Sequence, residues 1–431
     1  MSNSAPIQTS RLRSGRDFAR ATNAWIIQGV AVALAVLSCA GASQDSKPSA
    51  RDIETVSRTS NWNAPIEVVG LVSIDEFLVP MSATTTRSGH VVIVWTEGQR
   101  GRYRLRIADG DSERWRVSEV AGSDSDKAPV PCVAVEESGT ATFVAWEESR
   151  LMRRPVSYVS RRDSIDGPFS PPIAVAADSA GGVSIDAHEK LRLAFARGVR
   201  KLNLRKLAGD VIHAPPLDTY LKVAIGTIAG SRVDEEVLLE DDNVLECDYP
   251  ALSWPHVVYY RDGRFGKATA GRDLVYRYLA DGSEVESLAG EDEISGSKEE
   301  CCLAVTKSGP CVAFETKRGA VFRSRGKDGW TPPIVALPSV SGISLLASGE
   351  RVIVAGVEKS STRIRCASTS GSAWESFDGP GSADSLVLSG GGGIRPLVVW
   401  SDGGPKRGSP EARNPLGSHR RVMVSMLNDV R

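Results

Sequence analysis

Acidic residues that follow short apolar runs are the first candidates for chemistry in this chain. Glu97, Glu147, Glu148 and Glu315 each stand one or two residues after a Trp or a Phe. Two carboxylates on either side of a glycosidic bond would act as general acid and as base or nucleophile. The alternative is that a charged residue simply ends each strand where it meets water. The repetition favours this alternative, because an active site breaks the symmetry of a repeat.

Basic residues take the analogous place after two other runs. Arg197 follows Leu193-Ala194-Phe195-Ala196, and Arg261 follows Val257-Val258-Tyr259-Tyr260. A site that combines carboxylates with guanidinium groups would suit a sugar or a zwitterionic ligand. Solvated charge at the end of a strand is again the alternative.

The apolar runs that carry these residues form an internal repeat. Read at positions 95, 146, 195, 259, 314, 355 and 400, the copies lie 41 to 64 residues apart. Each copy is β-branched or aromatic, as half-buried strands are. The seven runs are Val92–Glu97, Phe143–Glu147, Leu193–Ala196, Val257–Tyr260, Val312–Glu315, Val352–Ala355 and Leu397–Trp400.

Turn signals on both sides of these runs complete a four-stranded unit. Ser-Gly pairs precede four runs, at Ser88, Ser138, Ser308 and Ser348, and glycine accepts the positive φ that tight hairpins require. An Asp-Gly or Ser-Gly turn followed by an aromatic residue comes later in several units. One blade of a β-propeller has this order: a strand, a turn, the strand with the aromatic residue, a third strand, a second turn and an outer strand.

Seven copies predict an all-β, seven-bladed propeller over residues 65–431. Six or eight blades remain open, because acidic residues are inserted between Asp234 and Asp242. After Trp400 there is room for one more strand, so the last blade lacks its outermost one. The orphan strand Ile66–Gly70 would supply it and close the ring. The alternative fold is a pair of β-sandwiches.

Three degenerate turn motifs resemble the Asp-box of the sialidase-like, or BNR-repeat, propellers. They are Ser164–Phe169, Ser324–Trp330 and Ser401–Gly404. The resemblance covers about residues 65–430. It implies a structural function, in which the Asp side chain caps the turn between the third and fourth strands while the aromatic residue packs between blades.

The same resemblance bears on the substrate. Catalytic sialidases carry a Phe/Tyr-Arg-Ile-Pro motif whose arginine holds a carboxylate, and Phe77-Leu78-Val79-Pro80 resembles it. Leu78 stands at the arginine position and cannot bind a carboxylate, which argues against hydrolysis of sialic acid. Arg100, at the end of the following run, is a further candidate for ligand binding.

The N-terminus predicts export. Basic residues from Arg11 to Arg20 precede an apolar stretch, Ala24–Leu37, that is too short to remain as a membrane span. Val36-Leu37-Ser38-Cys39 resembles a lipobox in which Cys39 is lipidated, whereas Ala40-Gly41-Ala42 offers ordinary cleavage. We expect residues 1–42 to be the signal, residues 43–64 a flexible tether, and the protein to be a lipid-anchored envelope protein or, alternatively, secreted.

Six further cysteines would experience an oxidising compartment after export. Three disulfides and 15 connectivities are then permitted. Cys302 and Cys311 flank the hairpin signal at 307–309 and are the candidate pair. The alternative is that several of the cysteines are buried thiols. The six are Cys132, Cys247, Cys301, Cys302, Cys311 and Cys366.

Composition excludes several classes of function. With 52 Lys and Arg against 53 Asp and Glu, the chain lacks the basic excess that nucleic-acid binding requires. It has no nucleotide-binding or hydrolase elbow motif, and its five histidines are scattered. The sequence therefore predicts no cofactor and no metal, and a monomer that touches the membrane only through its lipid.

These observations favour a non-catalytic scaffold that presents loops around a channel mouth to a glycan or a protein. The alternative hypothesis is a glycoside hydrolase similar to exo-sialidases. Its acidic residues would come from Asp75, Glu97, Glu147 and Glu315.

Overall fold

The structure is a computed structural model. Cys39, Asp75, Arg100 and the predicted signal at 1–42 lie outside the residues that it describes. No helix in the described part of the chain is long and apolar enough to cross a membrane. The described residues are 62–74, 78–99, 101–111, 114–136, 138–148, 155–202, 217–239, 244–264, 272–280, 282, 285–290, 293–294, 301–370, 373–391, 394–403 and 419–428.

The strands form seven antiparallel sheets, and in the first four blades they follow one another from the innermost to the outermost. Blade 1 contains β2 (Met81–Thr85), β3 (Val91–Gln99), β4 (Arg102–Gly110) and β5 (Trp115–Glu119). Blade 2 contains β6 (Pro131–Val135), β7 (Thr142–Glu148), β8 (Val156–Arg162) and β9 (Ile173–Ala177). Blade 3 contains β10 (Ser179–Asp186), β11 (Arg192–Leu202), β12 (Leu217–Ala229) and β13 (Arg232–Leu238). Blade 4 contains β14 (Val244–Ser253), β15 (His256–Arg264), β16 (Asp273–Tyr278) and β17 (Glu286–Ala289).

The last three blades keep this plan, with one split outer strand and one strand borrowed from the beginning of the chain. Blade 5 contains β18 (Cys301–Thr306), β19 (Gly309–Thr316), β20 (Gly319–Gly326), β21 (Gly329–Trp330) and β22 (Ile334–Pro338), and both β21 and β22 pair with β20. Blade 6 contains β23 (Val340–Ser348), β24 (Arg351–Glu358), β25 (Arg363–Ser370) and β26 (Ala373–Ser382). Blade 7 contains β27 (Ser385–Gly391), β28 (Ile394–Asp402), β29 (His419–Met426) and β1 (Ile66–Ser73).

The prediction of seven blades closed by an N-terminal strand is confirmed. β1 pairs antiparallel with β29, placing Ile66 opposite Val424 and Ser73 opposite His419. The innermost strands β2, β6, β10, β14, β18, β23 and β27 contact one another in turn, and β27 contacts β2 again. The acidic insertion does not add a blade, because Asp234, Glu235 and Glu236 belong to β13.

The core consists of seven apolar clusters, one at each interface between neighbouring blades. The seven predicted runs are the second strands of the blades, and their aromatic residues are buried against the preceding blade. These aromatic residues are Trp95, Trp146, Phe195, Tyr259, Phe314 and Trp400. The Ser-Gly turns also occur as expected, with positive φ at Gly89, Gly139, Gly309 and Gly349.

Small polar side chains join the innermost strands to each other. The innermost strand of a blade has one edge without a partner strand, so its backbone N–H groups need other acceptors. In three blades a serine hydroxyl on the innermost strand accepts such an N–H from the next blade. The pairs are Val133 N to Ser82 Oγ at 3.2 Å, Leu252 N to Ser184 Oγ at 3.0 Å, and Leu388 N to Ser344 Oγ at 2.9 Å.

Cys302 and Cys132 take the corresponding place on the innermost strands of blades 5 and 2, and Cys302 is not joined to Cys311 as predicted. The Cys302 thiol donates to the carbonyl oxygen of Ile343 in blade 6 at 3.5 Å, and the Cys311 thiol donates to the carbonyl oxygen of Ala304 at 3.4 Å. The two residues are offset in register, with Cys302 opposite Ala313, and they are not joined. The Cys132 side chain has a backbone hydrogen bond with Ile185 in blade 3. Cysteine here replaces the serine of the repeat.

Packing of the propeller begins inside the segment expected to be a tether. Trp62 is 5% exposed and forms a bridge with Leu427, and Asn63 N donates to Met426 O at 2.9 Å. The Trp62 ring also lies 6.3 Å from that of Phe377 in blade 6. An indole buried between two blades anchors the chain just before β1.

The turns that resemble Asp-boxes differ from expectation in two respects. Asp166 does not cap its own turn; its carboxylate accepts a bond from Arg116 of blade 1 at 2.5 Å, and Gly167 N donates to Ser164 O. Ser401 and Asp402 lie on the second strand β28, so the third motif was assigned to the wrong turn. The aromatic residues do pack as expected, since Phe169 and Trp330 contact the clusters between neighbouring blades.

Candidate functional site

Most predicted site residues belong to one side of the ring. In every blade the first strand begins, and the second strand ends, at the same side, because the two strands are antiparallel. We call this side the entry face. Glu97, Glu147, Glu148 and Glu315 lie at the ends of second strands on this face. Arg197 and Arg261 lie further from the strand ends, in the second strands of blades 3 and 4.

Two of the predicted carboxylates are engaged in ion pairs that join strands or blades. Glu97 Oε2 lies 3.4 Å from Arg106 Nε on the next strand of its own blade, and Arg106 also pairs with Glu119 at 3.6 Å. Glu315 is buried, and its Oε1 lies 3.1 Å from Lys359 Nζ, which follows the second strand of blade 6. These contacts give both carboxylates a structural function.

Glu147 is placed differently, because it reaches the innermost strand of the next blade. Its Oε2 accepts a hydrogen bond from the backbone N–H of Gly182 on β10 at 3.2 Å. Gly182 lies where the register of β10 on β11 shifts, between the Ser179–Arg197 pair and the Val183–Phe195 pair, and its φ is +92°. Glu148, its neighbour, is buried.

Tyr249 lies on the innermost strand of blade 4 and faces the same glycine. A Cβ at Gly182 would be 3.5 Å from Tyr249 Cδ1, so the ring packs on the β10 backbone. Tyr249 occupies a β-bulge: the register passes from Asp248–Tyr260 to Ala251–Val258. Its φ is +48°, a left-handed value that bulky residues rarely adopt, and its side chain is 43% exposed. Bulges and left-handed residues cluster at binding sites.

Cationic groups complete this cluster. The Arg272 guanidinium carbon lies 5.6 Å from the ring centre of Tyr249 and 4.6 Å from that of Tyr260, within the range of cation–π attraction. Arg261 Nη2 pairs with Asp273 Oδ2 at 3.1 Å on the neighbouring strand. On the far side, the Cys301 thiol donates to the carbonyl oxygen of Tyr249 at 3.4 Å. We call Glu147, Gly182, Tyr249 and Arg272 the Tyr249 cluster.

Apolar residues are exposed elsewhere on the entry face. Leu78 precedes β2 and is 41% exposed, and Val130 precedes β6 and is 57% exposed. Thr96 holds these two segments side by side, since its N donates to Pro80 O at 3.0 Å and its Oγ1 to Pro129 O at 2.5 Å. Leu78 is therefore at the surface of this face.

Four of the longer intervals between strands follow second strands, which end on the entry face, whereas the interval 163–172 between β8 and β9 lies on the opposite face. The links between second and third strands span residues 149–155, 203–216, 265–272 and 403–418 in blades 2, 3, 4 and 7. Links between first and second strands, on the opposite face, are short, such as 254–255 and 307–308. In repeat proteins, insertions that accumulate on one face often mark the binding face.

The sequence named most of these residues without showing which would meet. Glu147 was a candidate, and it is brought next to Tyr249, whereas Glu97 and Glu315 each bind a base of their own. Arg197 is exposed and stands opposite Ser179. Gly182, Tyr249 and Arg272 were not among the predicted site residues, because a bulge leaves no local signal in the sequence. Asp75 and Arg100 lie outside the described residues.

A cavity is present on the opposite face, between blades 2 and 3. It measures about 350 Å³ and is lined by Phe143, Val159, Ile173, Leu191 and Ile228, with charged residues at its rim. An open groove of about 970 Å³ adjoins it and shares Arg161, Ile173 and Gly230. Among the described residues, no group of three or more His, Cys, Asp or Glu is arranged to hold a metal ion.

Comparisons with known proteins leave the family open. No family model matches the chain, and no curated protein matches its sequence significantly. Similar solved structures include an α-L-arabinofuranosidase of Fusarium graminearum with arabinobiose, at 11% identity, TM-score 0.47, and coverage of 85% of this chain and 98% of that one. A lectin of Aleuria aurantia matches at 10% identity, TM-score 0.41 and coverage of 70% and 96%. A streptogramin B lyase matches at 13% identity, TM-score 0.45 and coverage of 85% and 99%. At these identities and TM-scores the likenesses do not bear on activity, and the fold rests on the strand pairings.

Proposed function

We propose that the protein is a glycan-binding propeller that holds its ligand at the Tyr249 cluster on the entry face. The proposed role is a non-catalytic scaffold at the cell envelope. The observation that carries this proposal is the position of Tyr249, which is exposed and has a left-handed φ on an innermost strand. Its ring lies between the Arg272 guanidinium and strand β10, to which Glu147 is hydrogen-bonded.

The chemistry of the cluster suits a sugar. A tyrosine combines an apolar ring face, on which the C–H groups of a pyranose or furanose can lie, with a polar tip. The Arg272 guanidinium donates hydrogen bonds in a planar fork, and a carboxylate such as Glu147 accepts them from hydroxyl groups. A left-handed backbone at a bulky residue costs about 1–3 kcal/mol and persists where the surrounding structure enforces it. Glu147 and the Tyr249 ring both contact Gly182 and so contribute to that constraint.

The ion pairs of the other predicted carboxylates favour binding over hydrolysis. Hydrolysis of a glycoside needs two carboxyl groups facing one bond, with one of them protonated. Glu97 and Glu315 are instead engaged in ion pairs with Arg106 and Lys359. Only Glu147, among the described candidates, contacts the backbone next to Tyr249.

A glycoside hydrolase remains the second candidate, because Glu147 and Tyr249 share Gly182 as a neighbour. A Tyr and a Glu in such proximity would form a nucleophile pair of the kind that the sialidase resemblance implies. A panel of fluorogenic aryl glycosides, sialosides included, separates the two candidates. Sustained turnover that is lost in Glu147→Gln would replace the binding proposal with hydrolysis.

The direct test of binding uses a glycan array followed by titration calorimetry with the best soluble oligosaccharide. We expect Tyr249→Ala and Arg272→Ala to weaken binding by about tenfold or more, a loss of about 1.4 kcal/mol or more. Tyr278→Ala is the matched control, because Tyr278 is a half-buried tyrosine on the opposite face beside His256. Equal affinities for wild type and Tyr249→Ala, with both proteins folded, would refute the assignment of this site.

The location of the protein is part of the proposal. The basic, apolar and small-residue segments of the N-terminus support export, and Cys39 supports a lipid anchor. Metabolic labelling with a fatty acid should mark the wild type but not Cys39→Ala. Label retained in Cys39→Ala would exclude this anchor, and an unlabelled wild type in the soluble fraction would indicate ordinary secretion.

A further inference from the structure

The outer strand of blade 2 is an unusual edge. Outermost strands expose backbone N–H and C=O groups, and proteins protect such edges with charges or proline. The outer strands β1, β5, β13, β17 and β26 each carry at least one charged residue, and β22 ends in Pro338. β9 reads Ile-Ala-Val-Ala-Ala, without charge or proline. Among the described strands it pairs only with β8.

A groove runs beside this edge, on the side away from the entry face. One wall is formed by Ser170–Val175, including the turn prolines Pro171 and Pro172, and the other by Gly230–Val233 in the hairpin between β12 and β13. The groove has a volume of about 970 Å³ and adjoins the cavity of about 350 Å³ at Ile173. Residues Ile173–Val175 of the edge strand β9 thus line an open groove with a pocket next to it.

Apolar and charged side chains both line the pocket, and two arginines of the groove are in ion pairs. Phe143, Val159 and Ile228 are buried residues that line the pocket. Arg161 Nε pairs with Asp163 Oδ1 at 2.5 Å, and Arg232 Nη2 pairs with Asp234 Oδ1 at 3.0 Å. Glu136 and Lys190 also line the pocket, so cavity and groove together carry three basic and three acidic residues and no net charge, which favours an uncharged occupant over an ionic one.

We propose that this groove binds an extended, uncharged segment of another polypeptide. The segment would pair with the free edge of β9 as an additional strand of blade 2, and one of its apolar side chains would enter the pocket. Main-chain hydrogen bonds provide affinity in such strand addition, and the pocket provides specificity. This site lies on the face opposite the Tyr249 cluster, so the proposal is independent of the glycan proposal.

Two other occupants are less consistent with the groove. A second copy joined through β9 would have to bring a whole blade between the two walls, whereas a single extended strand needs only its own width. An oligosaccharide would need hydrogen-bonding groups that are available for its hydroxyls, and Arg161 and Arg232 are already paired. Both alternatives are outcomes of the experiment below.

The experiment selects short peptides from a random linear display library on the full folded protein and locates the bound peptide by hydrogen exchange. We expect peptides rich in β-branched residues that slow exchange at the β9 amides. Ala174→Lys places a charge at an exposed position of β9, and Ser231→Trp fills the groove from the facing hairpin without touching β9. Each should weaken binding about tenfold or more. The matched control is Val117→Lys, which adds the same charge to the exposed face of the outer strand β5.

Several results would overturn the proposal. They are failure to select any peptide, protection confined to other strands, or unchanged affinity in both folded variants. Protection of β9 by an oligosaccharide panel alone would assign the groove to a glycan, and concentration-dependent dimers that protect β9 would assign it to a second copy. Tyr249→Ala should leave peptide binding unchanged, so failure of the glycan proposal is recognised separately.

Discussion

Arg162 of blade 2 and Asp109 of blade 1 form a buried, bidentate ion pair. Each side chain is 2% exposed, Arg162 Nη1 donates to Asp109 Oδ2 at 2.7 Å, and Nη2 donates to Oδ1. The guanidinium also lies 5.1 Å from the ring centre of Phe169. The pair joins the third strands, β4 and β8, of two neighbouring blades.

Removal of one member of this pair should destabilise the fold strongly. Asp109→Ala leaves the Arg162 charge buried without its carboxylate, and we expect a loss of about 3–5 kcal/mol in the free energy of unfolding. The double variant Asp109→Leu, Arg162→Met should recover most of that loss, because it buries no charge. Urea denaturation measures both. If the double variant loses as much free energy of unfolding as its two substitutions lose when made separately and added, packing and not charge dominates here.

Trp62→Ala should weaken the closure of the ring. The substitution removes a buried indole between blades 6 and 7 and leaves a cavity, at a cost of about 3–5 kcal/mol. We expect faster hydrogen exchange in β1 and β29 than in the second strands of other blades, because these two strands complete blade 7. Val237→Ala, at an exposed position of β13, is the control. Uniformly faster exchange in all blades would contradict a local function for Trp62.

His256 should make stability depend on pH. Burial, with a contribution from the Arg325 charge, lowers the pKa of His256 below its usual value. The unfolded chain therefore binds a proton more readily than the folded chain, so His256 contributes its full stability above about pH 6.5. That contribution is lost as the pH falls from there toward the lowered pKa. His256→Phe keeps a ring beside Tyr276 and Tyr278 but cannot titrate.

The comparison of wild type and His256→Phe isolates this effect from the titration of carboxylates. Denaturation at several pH values should show that the difference between the two proteins changes between neutral and mildly acidic pH. A constant difference across that range would mean that His256 has the same proton affinity in both states.

Three thiols should resist alkylation in the folded protein. Burial raises the pKa of Cys132 to about 11 and that of Cys311 to about 12, and it also raises the pKa of Cys366. The thiolate is the reactive form, so these cysteines should label with iodoacetamide only after unfolding. Mass spectrometry of native and denatured samples checks this. A peptide in which Cys302 is linked to Cys311 would restore the disulfide hypothesis.

The local features of the fold were largely predictable. Trp146 and Trp400 stand in β-branched runs that alternate with Ser-Gly turns, and both the strand period and the turn glycines act over a few residues. Closure by the predicted strand Ile66–Gly70, which the structure extends to Ser73, followed from counting strands in the last unit. Errors arose where a motif was short, as with Ser401 and Asp402, which lie on a second strand rather than in the predicted turn.

The candidate site depended on contacts between blades. The residues around Tyr249 predict neither its left-handed φ nor its bulge, since both follow from the register of β14 on β15. Cys302 appeared suited to a partner within its hairpin, yet its thiol is directed to Ile343 of the next blade. Asp109 lies near the end of the third strand of its blade, and its buried ion-pair partner, Arg162, is 53 residues further along the chain.

The order of residues is therefore enough to establish strands, turns, the number of blades and the closing strand, because each arises from hydrogen bonding and side-chain alternation among near neighbours. It is not enough to pair Glu147 with Gly182, Glu315 with Lys359, or Tyr249 with Arg272. Those partners are set when blades pack around the ring, since rotation or register shift of one blade by a single residue brings different side chains together.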